Sequence, residues 1–156
     1  MPRLTTLTLA LLACWPASSQ ALEPQKPSDV VTLTTSGAGE CGPAGQSRLI
    51  NQILPDGNLA PFTIRSNEVL VVTGVSWNLN ALTPNGNVPI VIVSQINANA
   101  FVGRFFTGAL ADAAGNSTAS ALVPNVVLDV TQFLPCVNFS QVQSGGIFVH
   151  GFVTTN

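Results

Sequence analysis

The chain has 156 residues, of which 46% are hydrophobic and only 8% are charged. Globular proteins carry about 25% charged residues, and a chain this apolar with so little charge is expected to fold rather than stay disordered. Five Lys and Arg against seven Asp and Glu give a net charge of −2, which argues against nucleic acid as a partner. The length is that of a single domain.

Residues 1–21 have the pattern of a secretory signal peptide. Arg3 precedes the apolar stretch Leu4–Cys14, and the small residues in Ser19–Ala21 suit cleavage before Leu22. The stretch is shorter than the roughly 20 residues that a membrane-spanning helix needs. We therefore expect no transmembrane segment and a mature chain that is secreted, periplasmic or held at the cell surface.

Cys14 closes the sequence Leu11–Cys14, which resembles a bacterial lipobox. Lipidation of Cys14 would anchor the protein to a membrane. Leu12 two positions before the cysteine and Trp15 directly after it are not favoured choices for a lipobox. The alternative is that Cys14 is only a small apolar residue of the signal peptide.

Cys41 and Cys136 remain after the signal peptide is removed. An even number of cysteines in an exported chain predicts a disulfide bond, here closing a long loop worth about 4.5 kcal/mol. Two free thiols or a redox pair are the alternatives, although the sequence has no CxxC pattern. Two cysteines and the single His150 are too few for a zinc site, so we predict no metal and no cofactor.

The mature chain begins with a Pro-rich lead-in at 22–29 and continues with short runs of β-forming residues between Gly, Pro and Asn clusters. We expect strands at Val30–Thr35, Arg48–Leu54 (strand or helix), Phe62–Ser66, Glu68–Asn80, Pro89–Ile96, Phe101–Thr107, Val126–Val130, Gln141–Gln143 and Ile147–Thr154.

The strongest strand signal is Glu68–Asn80, in which Gly74 is a candidate β-bulge. Pro84–Asn87 is a hairpin turn signal, and Ala109–Ala121 is expected to be a loop. About eight or nine short strands with turns every 8–12 residues predict an all-β domain over 30–156. We expect a single antiparallel β-sandwich of jelly-roll type.

The segment Gly37–Gly42 matches the G-x-G-x-x-G pattern of dinucleotide-binding loops. That function needs a βαβ unit and an acidic residue roughly 20 residues further on. The nearest region, Arg65–Glu68, lies inside β-patterned sequence, and the rest of the chain offers no second helix. A loop between sandwich strands, tethered by Cys41, is the preferred interpretation.

His150 and Trp77 are the candidate ligand contacts. His150 alternates with Phe148 and Phe152 along one face of a strand, where a packed or half-exposed histidine is the default. Trp77 is either a core residue or a platform on which a sugar ring stacks.

The acidic residues are dispersed along the sequence. Asp56 and Asp112 lie in Gly/Asn turns that each supply one carboxylate, too few to predict calcium. Glycan acceptor sequons begin at Asn116 and Asn138 and matter only in a eukaryotic source.

Three functions compete on this sequence. The leading hypothesis is an exported non-catalytic module that recognises a glycan or cell-surface ligand or assembles into a homo-oligomer. The second is a small hydrolase using His150 with Asp112 or Asp129. The third is a structural subunit of a surface layer or appendage, supported by a free edge strand or by donation of Val30–Thr35 to a neighbour.

The disulfide prediction is tested by reduction. We expect dithiothreitol to lower the thermal midpoint of the mature protein clearly, because the unfolded chain gains conformational freedom when the loop opens. An unchanged melting curve would show that Cys41 and Cys136 are not bonded.

Overall fold

Nine β-strands form the fold in the computed structural model, which describes residues 23–35, 46–80, 82–97, 100–128, 135–139 and 144–155. Over these ranges the only helical element is a 3₁₀ turn at Pro27–Asp29, so the prediction of an all-β chain is confirmed. The strands are β1 Val30–Thr35, β2 Gln46–Ile53, β3 Leu59–Pro61, β4 Glu68–Asn80, β5 Asn87–Asn97, β6 Ala100–Leu110, β7 Ser117–Leu128, β8 Cys136–Phe139 and β9 Ser144–Thr155.

The strands pair antiparallel in two sheets that share β2. The first sheet has the order β2-β1-β9-β4-β7, with the short β3 also paired to β2. The second has the order β2-β8-β5-β6. Gln46–Arg48 pairs with β8, whereas the rest of β2 pairs with β1 and β3. β2 therefore takes part in both sheets and connects them.

One hydrophobic core fills the space between the two sheets, because alternate side chains of each strand point inward. The first sheet contributes residues such as Leu33, Leu70 and Val149, and the second contributes residues such as Ile90 and Val137. These five side chains are almost completely buried. The arrangement is sandwich-like, with the core between the sheets.

The opposite face of the first sheet, turned away from this core, is called the outer face below. Val69 and Val71 of β4 and Phe152 of β9 form a small buried cluster there. Both faces of β4 are therefore apolar in its first half, as its sequence predicts. The pairing of β4 with β9 and β7 changes register between Val72 and Gly74, which confirms the predicted irregularity at Gly74.

Two predictions need correction. Phe62–Ser66 is not a strand, and the nearby strand is Leu59–Pro61. The loop predicted at Ala109–Ala121 is shorter, because β6 runs to Leu110 and β7 already begins at Ser117. Of the two alternatives left open for Arg48–Leu54, the strand is the one observed, as part of β2.

The turn at Pro84–Asn87 is present but does not form a hairpin. Asn85 has a positive φ of 55°, and the Gly86 N–H donates to the Thr83 carbonyl at 2.9 Å. The strands on either side pair elsewhere, β4 with β9 and β7, and β5 with β6 and β8. The turn carries the chain from one sheet to the other.

Several predictions concern residues that lie outside the described ranges. These are the signal peptide at 1–21 with Cys14, the loop with Gly37–Gly42 and Cys41, Asp129, and the strand at Gln141–Gln143. Export, lipidation and the disulfide therefore stay predictions. Cys136 is buried at the start of β8. In the part of the chain that is described, no helix has the length and apolarity that crossing a membrane requires.

The close approach of β9 to β4 can be tested by substituting Gly151. A Cβ at Gly151 would collide with the backbone carbonyl of Val71, whereas a Cβ at Gly74 would make ordinary contacts, the nearest at 3.5 Å. We expect Gly151→Ala to cost about 2–3 kcal/mol of unfolding free energy in urea titrations, and Gly74→Ala less than about 1 kcal/mol. Equal costs would show that the backbone separation is not limiting.

Candidate functional site

His150 lies on the outer face of β9 between two hydroxyl groups. Its Nε2 is 2.8 Å from the Ser76 Oγ of β4, and its Nδ1 is 3.2 Å from the Thr32 Oγ1 of β1. The position follows from the sheet order, because β9 lies between β1 and β4. Thr32 pairs directly with His150, and the Thr73 hydroxyl donates to the His150 carbonyl at 3.4 Å.

The imidazole of His150 is half-buried. Burial lowers its pKa below the ordinary value of 6.5, because the charged ring would lose part of its hydration. The neutral ring donates through one nitrogen and accepts through the other, and each hydroxyl can take either role. His150 is therefore held as a neutral, hydrogen-bonded residue, which agrees with the default expectation for a strand histidine.

The Ser76–His150 pair has half of the geometry of a hydrolytic triad. A serine hydroxyl bonded to an imidazole nitrogen is a nucleophile with its base, and a carboxylate normally orients the other nitrogen. Here that nitrogen faces the Thr32 hydroxyl. Asp112 is engaged elsewhere, since its Oδ1 accepts the backbone N–H groups of Ala114 and Asn116 at 2.8 Å each. Asp129, the other predicted partner, lies outside the described residues.

Trp77 belongs to the core, one of the two roles that its sequence allows. Its side chain is 5% exposed, and its indole Nε1 donates to the Ser117 Oγ at 3.0 Å. Little indole surface is left on which a sugar ring could stack. Trp77 still reaches the floor of an open groove of about 600 Å³.

This groove lies between the end of β6 and the start of β7. Gly108 and Leu110 line it from β6, Ser117–Ala119 from β7, and Asp112 and Asn116 from the connecting loop. β6 and β7 are the two ends of the strand path, and they approach each other without pairing. The groove therefore occupies the open side of the sandwich.

Exposed apolar side chains are concentrated on the same two strands. Of the seven large hydrophobic side chains that are exposed in the described ranges, five belong to β6 or β7. We call these five the apolar edge: Val102, Phe106, Leu110, Leu122 and Val127. Phe106 is 69% exposed and Leu122 is 90% exposed.

The turn carboxylates do not form a cation site. Asp56 accepts the N–H and the side-chain amide of Asn58, and these hydrogen bonds lower its pKa. No three His, Cys, Asp or Glu side chains converge within the described ranges. Asn116, the first sequon residue, is exposed in the β6–β7 loop.

Comparison with protein-family models, curated proteins and solved structures finds no match for this chain.

Sequence reasoning identified His150 and Trp77 but not their partners. Thr32 is 118 positions from His150, and Ser117 is 40 positions from Trp77. The available signal was the alternation within β1, which puts Thr32 on the face opposite to Val31 and Leu33. In β4 the register change between Val72 and Gly74 turns Ser76 away from the core, and simple alternation does not predict that. Which strands are neighbours could not be read from that alternation.

Unfolding at two pH values tests the environment of His150, the single histidine of the chain. Because the folded protein holds the proton less tightly than the unfolded chain, stability is full above pH 6.5 and falls as the pH drops below 6.5. We expect urea titrations to show lower stability at pH 5.5 than at pH 7.5. The carboxylates of Asp56 and Asp112 titrate below this window.

The matched variant for this measurement is His150→Gln, which retains hydrogen-bonding groups but does not titrate. Its unfolding free energy should be the same at both pH values. A loss of equal size in the variant would assign the pH dependence to other groups.

Proposed function

We propose that this protein is an exported, non-catalytic jelly-roll module that works by associating with further copies of itself. The observation that carries the proposal is the apolar edge on β6 and β7. Exposed apolar side chains gathered in one region of a surface mark interaction sites, whereas single ones need no explanation. The export signal at 1–21, predicted from the sequence, is part of the same proposal.

The strand order supports the jelly-roll topology. Leaving out the short β3, the path divides into β1-β9-β4-β7 and β2-β8-β5-β6, with the first and last strands adjacent. Consecutive strands cross between these two groups except at β5–β6, which pair with each other. Eight strands in two groups of four, connected in this way, are expected of a double Greek key.

β6 and β7 have unused backbone hydrogen-bonding edges. Within the described residues, β6 pairs only with β5 and β7 only with β4. Natural proteins protect such edges with charges, prolines and bulges. β7 carries Pro124 within an irregular stretch opposite Val72–Gly74, and β6 carries Arg104 at a register change next to Ile92 and Val93. Backbone pairing is therefore interrupted along both edges, and the proposal rests on the exposed apolar side chains.

Phe106 is an exposed aromatic side chain on this surface. Its ring lies over Gly103, so that a Cβ at Gly103 would collide with the ring. Packing of an aromatic ring over a strand glycine is a known way to stabilise a sheet edge. Aromatic side chains are also enriched at protein interfaces.

A second copy of the chain is the occupant that the composition favours. The apolar edge adds no charge pattern that would need a complementary partner, and β6 and β7 together carry one charged residue. At about 3.3 Å per residue the two strands are nearly 40 Å long, which is the length over which a second copy could pack.

The two alternative functions have less support. The hydrolase hypothesis now depends on Ser76 and His150, whose third partner is the Thr32 hydroxyl and not a carboxylate. Donation of β1 to a neighbour is disfavoured, because β1 pairs with β2 and β9 of its own chain. The free edges that an appendage subunit would use are the same edges proposed here.

Light scattering on size-fractionated protein tests self-association. We expect a mass that is a multiple of the monomer for the chain exported and processed by a secreting host. Since the edge has almost no charge, the mass should change little between 0.05 and 0.5 M salt, roughly a threefold range of Debye length. Each of Phe106→Ser and Leu122→Ser should weaken association by about tenfold or more, because each removes apolar burial.

Leu59→Ser is the matched control. Leu59 is also a highly exposed apolar residue, 58% exposed, but it lies on β3, which pairs with β2. This variant should associate like the wild type. A monomeric wild-type protein, or equal effects of all three substitutions, would contradict the proposal.

A further inference from the structure

We propose that the groove between β6 and β7 binds a neutral sugar. This inference goes beyond self-association and rests on the lining of the groove. Leu110 belongs both to the groove and to the apolar edge, so a sugar and a second copy would compete for it. The groove has about 600 Å³ of space, within the range of small-ligand sites, and combines an apolar wall with a few polar groups. The exposed Leu110 supplies the apolar part, and Asp112, Asn116 and Thr118 supply the polar part.

Asp112 is the key polar group because it is fixed and ionised. Its Oδ1 accepts two backbone N–H groups, from Ala114 and Asn116, and these bonds hold the pKa of the carboxyl below its usual value. A carboxylate has about four acceptor positions, so the group retains capacity for hydroxyl donors. Hydrogen bonds from hydroxyls to a carboxylate are short and strong. Adjacent sugar hydroxyls are ligands of this kind.

The neighbouring groups complete a surface suited to hydroxyls. The Asn116 side chain is exposed and can both donate and accept. The Thr118 hydroxyl donates to the Asn78 Oδ1 at 3.3 Å and keeps its own oxygen as an acceptor. Leu110 is exposed beside them and offers an apolar surface to the C–H face of a ring.

The charge of the lining disfavours an anionic ligand. Asp112 is the single charged residue among those that line the groove. An anionic ligand would be repelled by this carboxylate without a cation to offset it. One carboxylate, already shared with two N–H groups, is also a poor site for a metal ion, which needs several oxygen ligands.

The loops around the groove are fixed before any ligand binds. Backbone hydrogen bonds join the β4–β5 and β6–β7 loops, from Leu82 N–H to the Gly115 carbonyl at 2.9 Å and from Asn85 N–H to the Asp112 carbonyl at 3.0 Å. Gly115 has a φ of 80°, and a Cβ there would press on the Leu82 carbonyl. A preformed site avoids the entropy cost of ordering its loops on binding.

A glycan array probed with the full exported protein, followed by saturation-transfer NMR with millimolar monosaccharides, tests the inference. We expect the protein to bind at least one neutral saccharide. Asp112→Asn should weaken this binding by roughly tenfold or more, because it removes a hydrogen bond to a charged group. This change keeps an oxygen that can accept the Ala114 and Asn116 N–H groups, so the loop should stay folded. Thr118→Val removes only one weaker contact and should have a smaller effect.

Asp56→Asn is the matched control. Asp56 also accepts a backbone N–H in a turn, at 3.0 Å from Asn58, but it lies between β2 and β3. This variant should bind the saccharide like the wild type. No saccharide bound by the wild type, or binding unchanged in Asp112→Asn, would overturn the inference. Repeating the NMR measurement with Leu122→Ser separates sugar binding from self-association, because a sugar site in the groove should survive loss of the oligomer.

Discussion

The pairing of β4 with β9 and β7 is the constraint on which the rest of the structure depends. β4 pairs with β9 from Glu68 to Asn80, and its inward side chains form a large part of the core. The same strand brings Ser76 to His150 on the outer face and holds Trp77 beside Ser117 at the groove. The register change at Gly74 then separates the two halves of the strand. Both candidate sites are therefore consequences of one long central strand.

A strand could be predicted from the sequence where its own residue pattern was sufficient to identify it. Glu68–Asn80 was predicted to the residue, because thirteen residues of β-forming pattern leave few alternatives. The first part of β7, Ser117–Ala121, was predicted as a loop because its small residues have little strand preference of their own. It is a strand because it pairs with β4. The Asn85–Gly86 turn was also recognised, but its sequence could not show that the two flanking strands belong to different sheets.

The environment of His150 shows the same limit for the candidate site. The sequence placed this histidine on a strand face between two phenylalanines, and that much needs only period-two alternation. Its partners Thr32 and Ser76 come from the two neighbouring strands, so they depend on the sheet order. The environment of Trp77 was harder to predict, since a strand tryptophan can face the core or the solvent. Only the position of the second sheet decides between these two orientations.

The few carboxylates of the chain have a common structural role, which their positions show. Of the five acidic residues in the described ranges, four accept backbone N–H groups in turns: Asp29, Asp56, Glu68 and Asp112. Charges used in this way fix loop conformations but do not guard the sheet edges, where natural proteins place them against pairing. β7 consequently presents Leu122 and Val127 beside an unpaired backbone. The exposed apolar side chains of β7 are therefore the feature of this edge that a second copy could cover.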